Sequence, residues 1–187
     1  KPTSFQLHIF PCGNSGSFEH RICTLKKNGI EKHKGNRFFY EEEGHLRRMT
    51  TTEFQSLQEK IGFKLIKEFY SNQYYGAINW ITKSSPSFVK RLTDTADAVD
   101  EKAKKELLGL RKKLLPMTYT QFPYAKYWMI KNKWHKSIAD YLKLMILFIP
   151  SLFSAPVFRK YDNKSREEWQ SRKTERNGSE MFLFFAR

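Results

Sequence analysis

Apolar and polar positions alternate with a period of two over Phe5 to Phe10 (FQLHIF), which predicts a short strand ended by Pro11. Turn chemistry follows at Cys12 to Ser17, where Gly13 and Gly16 accept positive φ. His20 to Leu25 and Arg37 to Tyr40 flank a turn-rich stretch with Asn28-Gly29 and Gly35-Asn36. This predicts a β-hairpin or three-stranded meander over residues 4–42, closed by the acids Glu41, Glu42 and Glu43 and by Gly44. From Thr52 the period becomes helical. Phe54, Leu57, Ile61, Leu65 and Phe69 predict a helix over about 52–71, with Thr50 to Thr52 as caps and Glu53 in the first turn.

Tyr74 to Thr82 is a short aromatic piece, and Ser84-Ser85-Pro86 breaks it. A second amphipathic helix is expected over about 95–115 on the stripe Ala96, Val99, Ala103, Leu107, Leu110 and Leu114. Asp94, Asp97 and Asp100 at its start and Arg111, Lys112 and Lys113 at its end suit the helix dipole, and Pro116 is expected to stop it. Residues 117–127 read as irregular. A third helix starts near Tyr124 to Lys131 and runs into the apolar segment Leu144 to Phe158. Beyond Lys160 the polar stretch is partly helical, with Ser165 as its cap. Met181 to Phe185 (MFLFF) is either a terminal strand returning to the sheet or a greasy plug into a partner. The expected class is α+β, a small N-terminal antiparallel β element followed by amphipathic helices and one hydrophobic, membrane-embedded helical segment. Its parts are a β element (1–50), two amphipathic helices (51–116), a basic-aromatic collar with the hydrophobic segment (117–160) and a polar basic extension (161–187).

Charge sharpens the reading of that segment. The chain carries a net +15, and from Glu101 onward nineteen Lys/Arg stand against eight Asp/Glu, compared with fifteen against eleven before it. Such a surplus concerns partners, namely anionic lipid, RNA or an acidic protein surface. No acid lies between Glu106 and Asp140. Within that gap Lys126, Lys131, Lys133 and Lys136 interleave with Tyr127, Trp128 and Trp134. Lys143 opens the apolar run, and Arg159, Lys160 and Tyr161 close it. Trp and Tyr favour the headgroup layer, and Lys and Arg stems reach out of hydrocarbon, so these eleven residues are the candidate contacts to membrane or anionic partner.

Ile138 to Phe158 is long enough for about 30 Å of helix, one hydrocarbon core. Asp140, Lys143, Pro150 and Pro156 argue against a lone straight span, so spanning, re-entrant, interface-lying and protein-buried placements stay open. The same collar suits phosphates and unpaired bases, but no nucleic-acid module signature is present.

Candidate chemistry adds little. Cys12, Cys23, His8, His20, His33, His45 and His135 match no zinc spacing, and the two cysteines read as free thiols or as one hairpin bridge. Gly13 to Phe18 followed by Lys26 shares a glycine loop and lysine with kinase N-lobes, yet HRD and DFG triplets are absent. Consecutive Glu41, Glu42 and Glu43 point to alternate faces and read as a solvated patch. The expected function is a non-catalytic, membrane-associated accessory or structural subunit of a larger protein assembly. It binds protein subunits and anionic lipid, with no cofactor, metal or small-molecule substrate. The alternatives are an RNA-contacting ribonucleoprotein component and an enzyme whose site is assembled from distant residues. Opening on Lys1 rather than Met, together with high basicity, points to a cleaved leader and a mitochondrial address.

Overall fold

A computed structural model describes residues 3–42 and 45–187; Glu43 and Gly44 of the acidic turn lie outside the described residues. The class is α+β. In chain order the elements are β1 (Phe5–Pro11), α1 (Phe18–Thr24), β2 (Ile30–Glu31), β3 (Arg37–Phe38), α2 (Thr51–Lys60), β4 (Lys64–Ser71), α3 (Tyr75–Lys83), α4 (Pro86–Leu92), α5 (Glu101–Lys131), α6 (Ile138–Arg172) and β5 (Glu180–Ala186).

The main sheet is antiparallel in the order β1-β5-β4, so the last strand of the chain is its centre. That position suits MFLFF, because a central strand with both faces covered can be apolar throughout. Met181, Leu183 and Phe185 are buried on one face, which α2 covers; the Phe54 ring lies 4.6 Å from Phe10 and 5.8 Å from Phe185. On the other face Trp169 of α6 packs 5.3 Å from Phe182. A second core joins α1, α3, α4 and α5 through Phe18, Ile22, Ile78, Ile81, Leu92, Leu107 and Leu114. Each such buried aliphatic side chain stabilises the fold by about 1.5–3 kcal/mol.

Several expected boundaries move. Residues 20–25 form α1 rather than a strand, because Ser17 caps the His20 N–H at 3.1 Å and Phe18, Ile22 and Cys23 share one buried face. The hairpin sought within 4–42 survives only as β2 and β3, two residues each. The helix expected over 52–71 starts at the cap on Thr50, which the structure closes into a capping box with Glu53, but ends at Lys60. Gly62 then takes φ +88, and 64–71 becomes β4 because its backbone finds partners along β5. Helix α5 starts late, at the Asp100 cap, and passes through both Pro116 and Pro123. An internal proline costs about 3 kcal/mol. Leu107 and Leu114, both fully buried on the face that packs on its neighbours, offset that cost. Ser165 caps nothing and lies inside α6, which runs unbroken to Arg172.

One carboxylate near the end of α6 ties it to α3. Glu168 on α6 accepts hydrogen bonds from the backbone N–H groups of Tyr74, Tyr75 and Gly76, at 2.9–3.2 Å, across the first turn of α3. These are orphan donors at the positive end of a helix, where a negative charge is favoured. A Cβ on Gly76 would come within 2.7 Å of Asn72 Oδ1, so a larger residue there would have to push the Asn72 side chain aside. Glu168→Gln leaves one acceptor oxygen for three donors. It is expected to lower the unfolding free energy by about 2 kcal/mol in chemical denaturation, the scale of a charge-assisted hydrogen bond. An unchanged midpoint and slope would mean that the clamp contributes nothing.

Candidate functional site: the hairpin arm and a buried carboxylate

Helices α5 and α6 form a long antiparallel hairpin, closed by residues 132–137. Its turn is locally specified. Ser137 and Asp140 form a capping box, with the Asp140 N–H donating to Ser137 Oγ at 3.3 Å and the Ser137 N–H to Asp140 Oδ2 at 3.2 Å. Lys133 Nζ adds an ion pair to Asp140 at 3.0 Å. Trp134, at the tip, is 92% exposed.

Helical spacing gives α6 two unlike faces in this region. Asp140, Leu144, Leu147, Ser151 and Ser154 face inward, buried or half-buried, and small Ser151 and Ser154 permit close approach of the neighbouring helix. Outward, at intervals of three and four, stand Ile138, Leu142, Met145, Ile149, Phe153 and Pro156, all exposed. Ile149 is 64% and Phe153 80% exposed, and Tyr141, Ile146, Phe148 and Leu152 widen the stripe. Only 11% of the most apolar eighteen-residue stretch of α6 is buried. By length and composition α6 is long and apolar enough to cross a membrane.

The structure gathers most of the collar at the tip. Lys126, Lys133, Asp140 and Lys143 line one shallow groove. Lys131 Nζ lies 4.6 Å from the Trp128 ring centroid and 5.9 Å from that of Tyr127. Lys136 Nζ donates to the Lys133 carbonyl at 2.9 Å. Tyr127 is half-buried, 6.2 Å from the Phe148 ring, and Trp128 remains partly exposed. Arg159 and Lys160 are exposed at the other end of the apolar stretch. Tyr161 turns inward and packs on the helical core.

A second constellation left no trace in the sequence, because its members come from four distant places. Glu19 of α1 is buried. Its Oε1 accepts from the Tyr40 hydroxyl, and its Oε2 from Ser179 Oγ and from Trp80 Nε1, the last at 3.1 Å. Beside it Arg48 donates to Glu41 at 2.7 Å and to the carbonyls of Cys12 and Ser179 at 3.0 and 2.9 Å. Burial, opposed by the hydrogen bonds from Ser179 and Tyr40, holds the Glu19 carboxyl above its ordinary value of 4.5. Burial also pushes the Tyr40 phenol well above its usual range, with the Glu19 charge adding to it.

The other candidate chemistry resolves into structure. Cys12 and Cys23 are buried free thiols, and burial pushes Cys12 up to about 11, away from the thiolate that reacts. Lys26 pairs with Asp97 at 2.7 Å rather than reaching for a ligand. Among the described residues no three His, Cys, Asp or Glu side chains converge as a metal would require.

A raised carboxyl favours the protonated fold. The stability it contributes is present below pH 4.5 and is lost as pH rises through the folded-state value. Glu19→Gln cannot ionise, so its melting temperature is expected to gain on that of the unsubstituted protein between pH 4.5 and 8. A pH-independent difference between the two would show that Glu19 takes up no extra proton on folding. Comparison with protein-family models, curated proteins and solved structures finds no match for this chain.

Proposed function

We propose that the chain is a non-catalytic, membrane-associated subunit, whose hairpin arm lays the outer face of α6 in a lipid surface while the α+β head meets protein partners. The exposed apolar stripe from Ile138 to Phe153 carries this reading. It exposes on the order of 1000 Å² of side chain, well above the roughly 300–600 Å² of the largest apolar patch on an ordinary monomer.

The tip lysines favour an arm that lies along the interface. An arm whose tip stopped inside the bilayer would hold Lys131, Lys133 and Lys136 in hydrocarbon, at about 2.5–3.5 kcal/mol for each charge at its centre. An arm lying along the interface avoids that cost. It keeps the lysines among anionic headgroups, each worth about 1 kcal/mol there. The collar and stripe are contiguous, which supports lipid over RNA, since a polynucleotide on the lysines would leave Ile149 and Phe153 in water.

Partitioning onto anionic vesicles tests the reading. Ile149→Asp is expected to weaken binding roughly 30- to 100-fold through lost apolar transfer and an added charge. It should leave the melting temperature near that of the parent, because Ile149 is exposed. Trp134→Ala is expected to weaken binding several-fold, as an interfacial ring is lost. Unchanged affinity in both variants overturns the proposal. So does release of the native protein from membranes by RNase, but not by carbonate.

A further inference from the structure

Beside Glu19 lies an open cavity of about 690 Å³, within the range of small-molecule sites. One wall is aromatic. The Phe88 ring stands at 90° to Tyr40, 5.5 Å between centroids, and 5.4 Å from Trp80. The rest of the lining carries the carboxylates of Glu41, Glu42 and Glu180, the buried Glu19 carboxyl at the base and the His45 ring, against the guanidiniums of Arg48 and Arg91. In a chain with 34 basic and 19 acidic residues, that balance has the opposite sign to its surroundings.

The charges are unequally committed. Arg48 and Glu41 hold each other, and Glu41 also accepts from the Phe38 N–H at 2.8 Å. Glu19 is tied to its three donors at the base. Glu42 and Glu180 therefore remain to meet a ligand charge at the cavity, although Ser71 Oγ also donates to Glu180 at 2.8 Å. A cation already stands at the aromatic wall, as the exposed Arg91 guanidinium lies 5.7 Å from the Phe88 centroid and donates to the Tyr40 carbonyl at 3.4 Å. Aromatic faces attract cations through the ring quadrupole, and most strongly where water is displaced.

We propose that this cavity is a binding site for an organic cation, an ammonium group on an apolar body, held between the Tyr40/Trp80/Phe88 wall and the carboxylates of Glu42 and Glu180. The ligand cation takes the place of the Arg91 guanidinium, which swings into solvent. The site belongs to the head and does not depend on how the arm meets lipid.

Calorimetry on the full chain with a charge series of probes tests the assignment. Benzyltrimethylammonium is expected to bind saturably, benzyl alcohol roughly tenfold more weakly, and benzoate not measurably. Glu42→Gln combined with Glu180→Gln is expected to weaken the cation about tenfold. Arg91→Gln should tighten it several-fold, a gain that misfolding cannot mimic. Short-chain phosphatidylcholine below its micelle concentration identifies the source of the cation: competition with the probe assigns a lipid headgroup, and none assigns a free amine. Equal binding of the three probes, no binding of any, or an Arg91→Gln variant no tighter than the parent overturns the proposal.

Discussion

The Glu168 carboxylate on the first turn of α3 is the constraint from which the remaining geometry follows. A buried anion away from water is costly unless its lone pairs are occupied, and three converging amide donors occupy them here. Because the contact joins the far end of α6 to a helix already embedded in the core, it sets where α6 leaves the head. The arm beyond needs no core of its own. Its direction follows from the clamp, from Trp169 against the sheet one residue later, and from Lys83 over the Phe158 ring at 4.0 Å.

The molecule thus has two kinds of burial. In the head, two clusters of apolar side chains are enclosed by polypeptide, although Phe5, Leu7 and Ile9 of β1 face outward. The central strand β5 is covered on one face by α2 and approached on the other by Trp169. In the arm, a comparable run of apolar side chains faces outward with nothing over it. Water is an expensive neighbour for such a surface, and this drives the lipid reading. The polar groups divide in the same way. In the head, the side chains of Glu19, Arg48 and Glu41 are buried and committed to partners, whereas the arm holds its lysines exposed or half-buried at the tip.

Much of the local structure was legible along the chain. The helix start among Thr50 to Thr52 and the strand character of FQLHIF rest on contacts within a few residues or on simple periodicity. MFLFF left a strand and a partner plug open until its pairing with distant β1 and β4 decided for the strand. Other readings failed where two local signals conflicted. Phe54 to Phe69 has helical spacing throughout, yet Gly62 and the hydrogen bonds offered by β5 turned its second half into a strand. Pro116 looked like a stop, but a proline penalty of about 3 kcal/mol is smaller than the packing of a helix buried on one face.

The sequence by itself determined the α+β class, the uneven charge and the apolar run fenced by lysine and aromatic residues, because these depend on composition and short-range spacing. Only the tertiary structure decided that this run faces outward, and that Glu19 meets Tyr40, Trp80 and Ser179 across as many as 160 residues. Burial and long-range hydrogen bonding are properties of how elements pack, and no local pattern of residues encodes which side of a helix will be left uncovered.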